Sequence, residues 1–70
     1  MDEVYRGYRI AIRLQGEWSA RVSHVRGSLV PLTARASPAD GPHVCLERAR
    51  ALVDRYIEFL AQNEIDGEPN

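Results

Sequence analysis

Residues 45–62 divide between two faces at helical spacing. Turned by about 100° per residue, Cys45, Leu46, Ala49, Leu52, Val53, Tyr56, Ile57, Phe59 and Leu60 fall in one apolar sector. Glu47, Arg48, Arg50, Asp54, Arg55, Glu58 and Gln62 fall in the other. The pattern predicts one amphipathic helix that starts near Pro42 and ends near Asn63, beyond which Glu64 would turn apolar-side and Ile65 polar-side. Glu47/Arg50, Arg50/Asp54 and Arg55/Glu58 are complementary pairs on its surface, each worth about 0.2–0.5 kcal/mol. A lone helix cannot bury its own stripe, so the preceding segment must cover it.

That segment reads as strands. Residues 8–14 alternate strictly, with Tyr8, Ile10, Ile12 and Leu14 on one face. Residues 18–25 place Trp18, Ala20 and Val22 on one face. Parity sets the turn between them. A two-residue loop would pair Ile12 with Ser19 and mix the faces, which a half-buried sheet does not tolerate. A three-residue loop, Gln15-Gly16-Glu17, pairs Leu14 with Trp18, Ile12 with Ala20 and Ile10 with Val22. Tyr8 then meets His24, where a Tyr–His hydrogen bond would plug the open end of the sheet. The same test on Arg26-Gly27-Ser28 pairs Val22 with Leu32 and Ala20 with Ala34, keeps Val30 inward and sets a third strand over Leu29–Ala34. Pro31 lacks an N–H and suits an edge. Ser37-Pro38-Ala39-Asp40 has the make-up of a helix start, but Gly41-Pro42 breaks it, so 37–41 reads as a turn.

The expected fold is α+β: a three-stranded antiparallel meander with one C-terminal amphipathic helix on one face (βββα). Residues 1–63 form a single domain and 64–70 a loose tail. The run Tyr5-Arg6-Gly7-Tyr8-Arg9-Ile10, Trp18 early in the second strand and Ala49-Arg50-Ala51 in the helix resemble small bacterial βββα proteins of no known activity. More distantly, the order of elements is similar to HicB-type antitoxins and double-stranded-RNA-binding domains. The glycine-cysteine segment of the former and the lysine-rich helix start of the latter are missing.

Composition narrows the picture. A chain of 70 residues forms one domain with a thin core, burying only about 60% of its unfolded surface. Cys45 is the only cysteine, which excludes an internal disulfide and points to a reducing, cytoplasmic compartment. No apolar run approaches the ~18 residues of a membrane span. Net charge is −1, but residues 1–36 carry +3 and residues 37–70 carry −4. All nine basic residues are Arg. A GC-rich bacterial genome accounts for that; so would selection for the planar, bidentate guanidinium.

Little of the sequence suggests catalysis. His43-x-Cys45 opens the helix, where a thiol gains acidity, yet Cys45 lies in the apolar sector and reads as structural. One Cys and two His fall short of a zinc ligand set. Asp54 and Glu58 read as solvated, and no phosphate loop or nucleophile elbow occurs. Trp18 and Tyr56 read as core, Trp18 lying near the first turn with its indole edge partly wet. No enzyme, cofactor or metal is expected. The surface of interest is the uncovered sheet face, where the register sets Arg9, Arg13 and Arg21 beside an apolar corner of Val25, Leu29 and Pro31. Such a patch resembles an interface. The reading is a non-catalytic interaction module that forms a homodimer or binds a protein partner, through this face or through the exposed edge of the strand at residues 8–14. The alternatives are a nucleic-acid-binding module, with Arg on phosphates and Tyr5 or Tyr8 on a base, or an antitoxin-like regulator.

Overall fold

The computed structural model describes residues 2–66, with side chains as far as Gln62. Four strands precede one helix: β1 Asp2–Tyr5, β2 Tyr8–Gln15, β3 Glu17–His24, β4 Leu29–Ala36 and α1 Gly41–Asp66. The strands form one antiparallel sheet in the order β1-β2-β3-β4. The class is α+β with a C-terminal helix, as expected, but the meander has four strands rather than three. The added strand, β1, pairs Val4 with Arg9 and Tyr5 with Tyr8. Its turn is Arg6-Gly7, both with positive φ, at 53° and 87°. Two such residues make a type I′ hairpin turn, whose twist matches that of the strands. Arginine is a poor advertisement for that turn, and four residues are too few to show a period. Among the described residues β1 pairs with residues 8–11 of β2, so that part of the strand expected to offer a free edge is interior to the sheet.

The β2–β3 register is the one parity demands: Leu14 faces Trp18, Ile12 faces Ala20, Ile10 faces Val22 and Tyr8 faces His24. β3–β4 departs from expectation. Ala20 does face Ala34, but the pairing passes from Arg21–Thr33 to Ser23–Leu29, so Val30, Pro31 and Leu32 together stand opposite Val22. The predicted Val22–Leu32 pair does not form. Pro31 explains the irregularity, since it has no N–H to place in a regular ladder.

Ser37 and Asp40 close the connection reciprocally. The Ser37 N–H donates to Asp40 Oδ2 at 3.3 Å, and the Asp40 N–H donates to Ser37 Oγ at 3.3 Å and to the Ser37 carbonyl at 3.0 Å. Gly41, at φ 84°, then turns the chain into the helix. α1 buries Cys45, Leu46, Ala49 and Val53 against Ile10, Ile12, Ala20, Val22, Ala34 and Ala36. The alanines and the cysteine let helix and sheet approach closely. Trp18, expected to pack on the core with its indole edge partly wet, and Tyr56, expected in the core, are both half-buried at its margin.

The helix outruns the sheet. Its 26 residues span about 39 Å, whereas strands of 8 residues span about 27 Å. The longest dimension of the molecule is accordingly 50 Å. Phe59 and Leu60, placed by periodicity in the buried sector, are 55% and 41% exposed. The helix also continues to Asp66, past the predicted end at Asn63. The tail expected at 64–70 lies outside the described residues from 67 onward. Among the described residues no helix is long and apolar enough to cross a membrane.

Candidate interaction surfaces

α1 packs on one face of the sheet, and alternation sends every second side chain to the other. Across that open face the register aligns three transverse rows. Val4, Arg9, Ser23 and Leu29 form one; Asp2, Ala11, Arg21 and Thr33 the next; Arg13, Ser19 and Arg35 the third. Arg9, Arg13 and Arg21 are exposed, and none is ion-paired among the described residues. Arg35 reaches Glu17 through Nη1 at 3.3 Å, and its carbonyl accepts a hydrogen bond from Arg48 Nη1 at 2.8 Å. Alternation alone would have found Arg35, but the third strand was expected to stop at Ala34. A hollow of about 340 Å³ lies over Ala11 and Ser19, walled by Arg13, Gln15 and Arg21. A second, of about 300 Å³, extends it past Glu17, Thr33 and Arg35.

The residues of the expected apolar corner are exposed but lie apart. Leu29 is 84% exposed and Val25 45%. Leu29 and Pro31 share a shallow hollow with Arg21 along the irregular part of β4. Val25 sits beyond the end of β3, and neither it nor Arg9 lines these hollows. The structure therefore brings Arg13 and Arg21 together, and Arg21 with Leu29 and Pro31. It does not unite all six predicted residues.

A second apolar surface lies outside what the sequence pattern predicts. At the end of the sheet where β2 begins and β3 finishes, the overhanging helix leaves a ledge. One hollow there is lined by Tyr8, Ile57, Leu60 and Ala61, and another by Tyr8, His24, Leu29, Val30 and Tyr56 among others. With exposed Phe59 on the same stretch of helix, this end carries much of the accessible apolar surface. Periodicity gives the stripe but not where the sheet beneath it stops.

The polar residues singled out earlier are engaged differently from expectation. Asp54, expected in solvent, accepts from the Tyr5 hydroxyl at 2.9 and 3.1 Å and from Arg6 Nη1 at 2.7 Å. These donors hold its carboxyl below the usual carboxylate range, Arg6 contributing most. The Tyr5 phenol is pushed up, chiefly because its proton is held by Asp54. Arg50 donates through Nε to Glu3 at 2.6 Å and lies 5.7 Å from the Tyr5 ring centre. The predicted Arg50/Asp54 pair within the helix gives way to contacts that tie β1 to α1. Tyr5 and Tyr8 both face the helix side, so neither can stack a base on the Arg-bearing face. Tyr8 meets His24 edge-on, ring centres 5.3 Å apart, rather than by a hydrogen bond; His24 Nδ1 instead accepts from the Arg26 N–H at 3.1 Å. Cys45 is enclosed, its thiol directed at the Ala34 carbonyl 3.8 Å away and raised in pKa by burial. Among the described residues no three His, Cys, Asp or Glu side chains gather as a metal site would require.

No family model, curated protein or solved structure matches the chain significantly.

Proposed function

We propose that the protein is a non-catalytic interaction module of the cytoplasm that self-associates through the ledge formed by the overhanging helix and the adjacent sheet end. The observation that carries this reading is the exposure of Phe59 and Leu60 on a helix whose stripe continues past the sheet. A second copy offers the same apolar stripe, and an isologous pair would cover both at once. Leu29 and Val25 lie at this end and join the contact. The Arg rows favour the ledge over a face-to-face dimer, because such a dimer would oppose Arg9, Arg13 and Arg21 to their own copies. The buried free thiol of Cys45 suits a reducing compartment. Kinship with small bacterial βββα proteins, or an antitoxin-like role, would make a second protein the partner of the same ledge.

Light-scattering chromatography tests the reading. The wild-type chain should elute as a dimer. Leu60→Glu, at a position already 41% exposed, should shift it to monomer without changing its circular dichroism. Leu29→Glu should do so more weakly. A monomeric wild type at high concentration would defeat self-association. The nucleic-acid alternative has in its favour Arg9, Arg13 and Arg21, exposed and without an ion pair among the described residues. It predicts oligonucleotide binding that weakens steeply with salt.

A further inference from the structure

We infer that the open face carries a binding site for a tetrahedral oxyanion, a phosphate or the phosphate group of a small monoester, centred on Ser19. The register builds it. Ser19 stands directly between Arg13 on β2 and Arg35 on β4, and Arg21 follows two residues along the same face of β3. Directly paired positions lie about 4.5–5.5 Å apart at Cβ and diagonal ones about 7–8 Å. Three long guanidinium side chains therefore rise around one short hydroxyl. Ala11 and Ser19 leave the floor low, which is why a hollow of about 340 Å³ remains between Arg13 and Arg21.

The chemistry of the lining selects the anion. Each guanidinium presents a fork of N–H donors with no acceptor, and Ser19 and the Gln15 amide add further donors. Donors arriving from both neighbouring strands and along the central one suit an anion with oxygens in several directions. A single planar carboxylate would satisfy one fork and leave the others. Among the described residues Glu17 is the carboxylate lining the two hollows, and it holds Arg35 only at 3.3 Å from an exposed position; Asp2 shares the row of Ala11 and Arg21 but lines neither hollow. Such surface pairs are worth little and are readily exchanged. Arg13 and Arg21 have no competing ion pair among the described residues. The open face also lacks the aromatic platform on which a nucleic-acid strand would stack, because Tyr5, Tyr8 and Trp18 all belong to the helix side. A compact phosphate thus fits better than a polymer backbone. The site lies near the β2–β3 turn, at the far end of the sheet from the ledge, so it stands or falls independently of self-association.

The test is titration of the isotopically labelled full chain with inorganic phosphate at constant ionic strength, against sulfate-free chloride, followed by amide shifts. Saturable shifts centred on Arg13, Ser19 and Arg21 are expected. Arg21→Gln should weaken binding by about tenfold or more, the loss of a charge-assisted hydrogen bond. Arg9→Gln, in the farthest row, should leave it unchanged, and Glu17→Gln should tighten it. Circular dichroism confirms that each variant folds. Non-saturable shifts, or equal losses from Arg9→Gln and Arg21→Gln, would reduce the site to diffuse counterion attraction and overturn the inference. An oligonucleotide arm separates the sources. Salt-sensitive binding of the oligonucleotide without any response to inorganic phosphate would also overturn it.

Discussion

Asp54 shows how much one side chain can decide. It gathers the Tyr5 hydroxyl and the Arg6 guanidinium, so the charged carboxylate is favoured by the fold. A carboxyl lowered on folding stabilises above its unfolded pKa, about 3.9, and loses that contribution as pH falls through the lower folded value. Denaturant midpoints should therefore decline below about pH 4, and Asp54→Asn should flatten part of that acid limb. Tyr5 has the opposite sign: its raised pKa means a contribution present at neutral pH and lost as the phenol ionises in alkali. A tyrosinate titration of Asp54→Asn lying as high as wild type would refute the link. The core is simpler. Ile10 is fully enclosed, and Ile10→Ala should cost about 2–5 kcal/mol in urea unfolding. Cys45 is enclosed too, so the folded protein should react with a thiol reagent far more slowly than a free thiol does.

Among the elements, the ones that followed from the sequence were those with enough residues to show a period. β2 and β3 offer eight residues each, and the cost of mixing faces fixes their register, which is why Leu14–Trp18 through Tyr8–His24 could be read in advance. β1 has four residues and a turn built on Arg6, so nothing in its alternation distinguished it from a frayed terminus. The irregularity in β4 was hidden because Pro31 is equally at home on a regular edge. Arg35 is hidden for a related reason: the alternation sets the strand end at Ala34, two residues short of Ala36, and leaves out the third arm around Ser19. The β1 hairpin is testable on its own. A Cβ at Gly7 would meet no other atom within 4 Å, so Gly7→Ala should pay only for the backbone at φ 87°, about 1 kcal/mol. Arg6→Asn suits the turn but removes the partner of Asp54. It should keep the hairpin amide signals while raising the Asp54 pKa.

At the scale of the whole molecule, charge and apolar surface are sorted into different places. The open face collects Arg9, Arg13, Arg21 and Arg35, and the helix end collects Ile57, Phe59 and Leu60. The charge split along the chain hinted at the first; the second depended on comparing the length of a helix with that of a sheet. If both surfaces work as proposed, Leu60→Glu should abolish dimerisation and leave phosphate affinity within about twofold of wild type, since groups this far apart act additively. Phosphate shifts in the monomeric variant, read beside its light scattering, check this directly.

The three-against-one mismatch opposite Val22 has a further consequence. A sheet grows by adding strands to whichever border still offers a continuous row of donors and acceptors. Here one border is β4, bent out of register and missing an N–H at Pro31, and the other is stepped, with β1, four residues long and carrying Asp2 and Glu3, pairing with residues 8–11 of β2. Neither can template a long neighbour. Copies of this chain are thereby steered away from fibre-like stacking and towards contacts made by side chains.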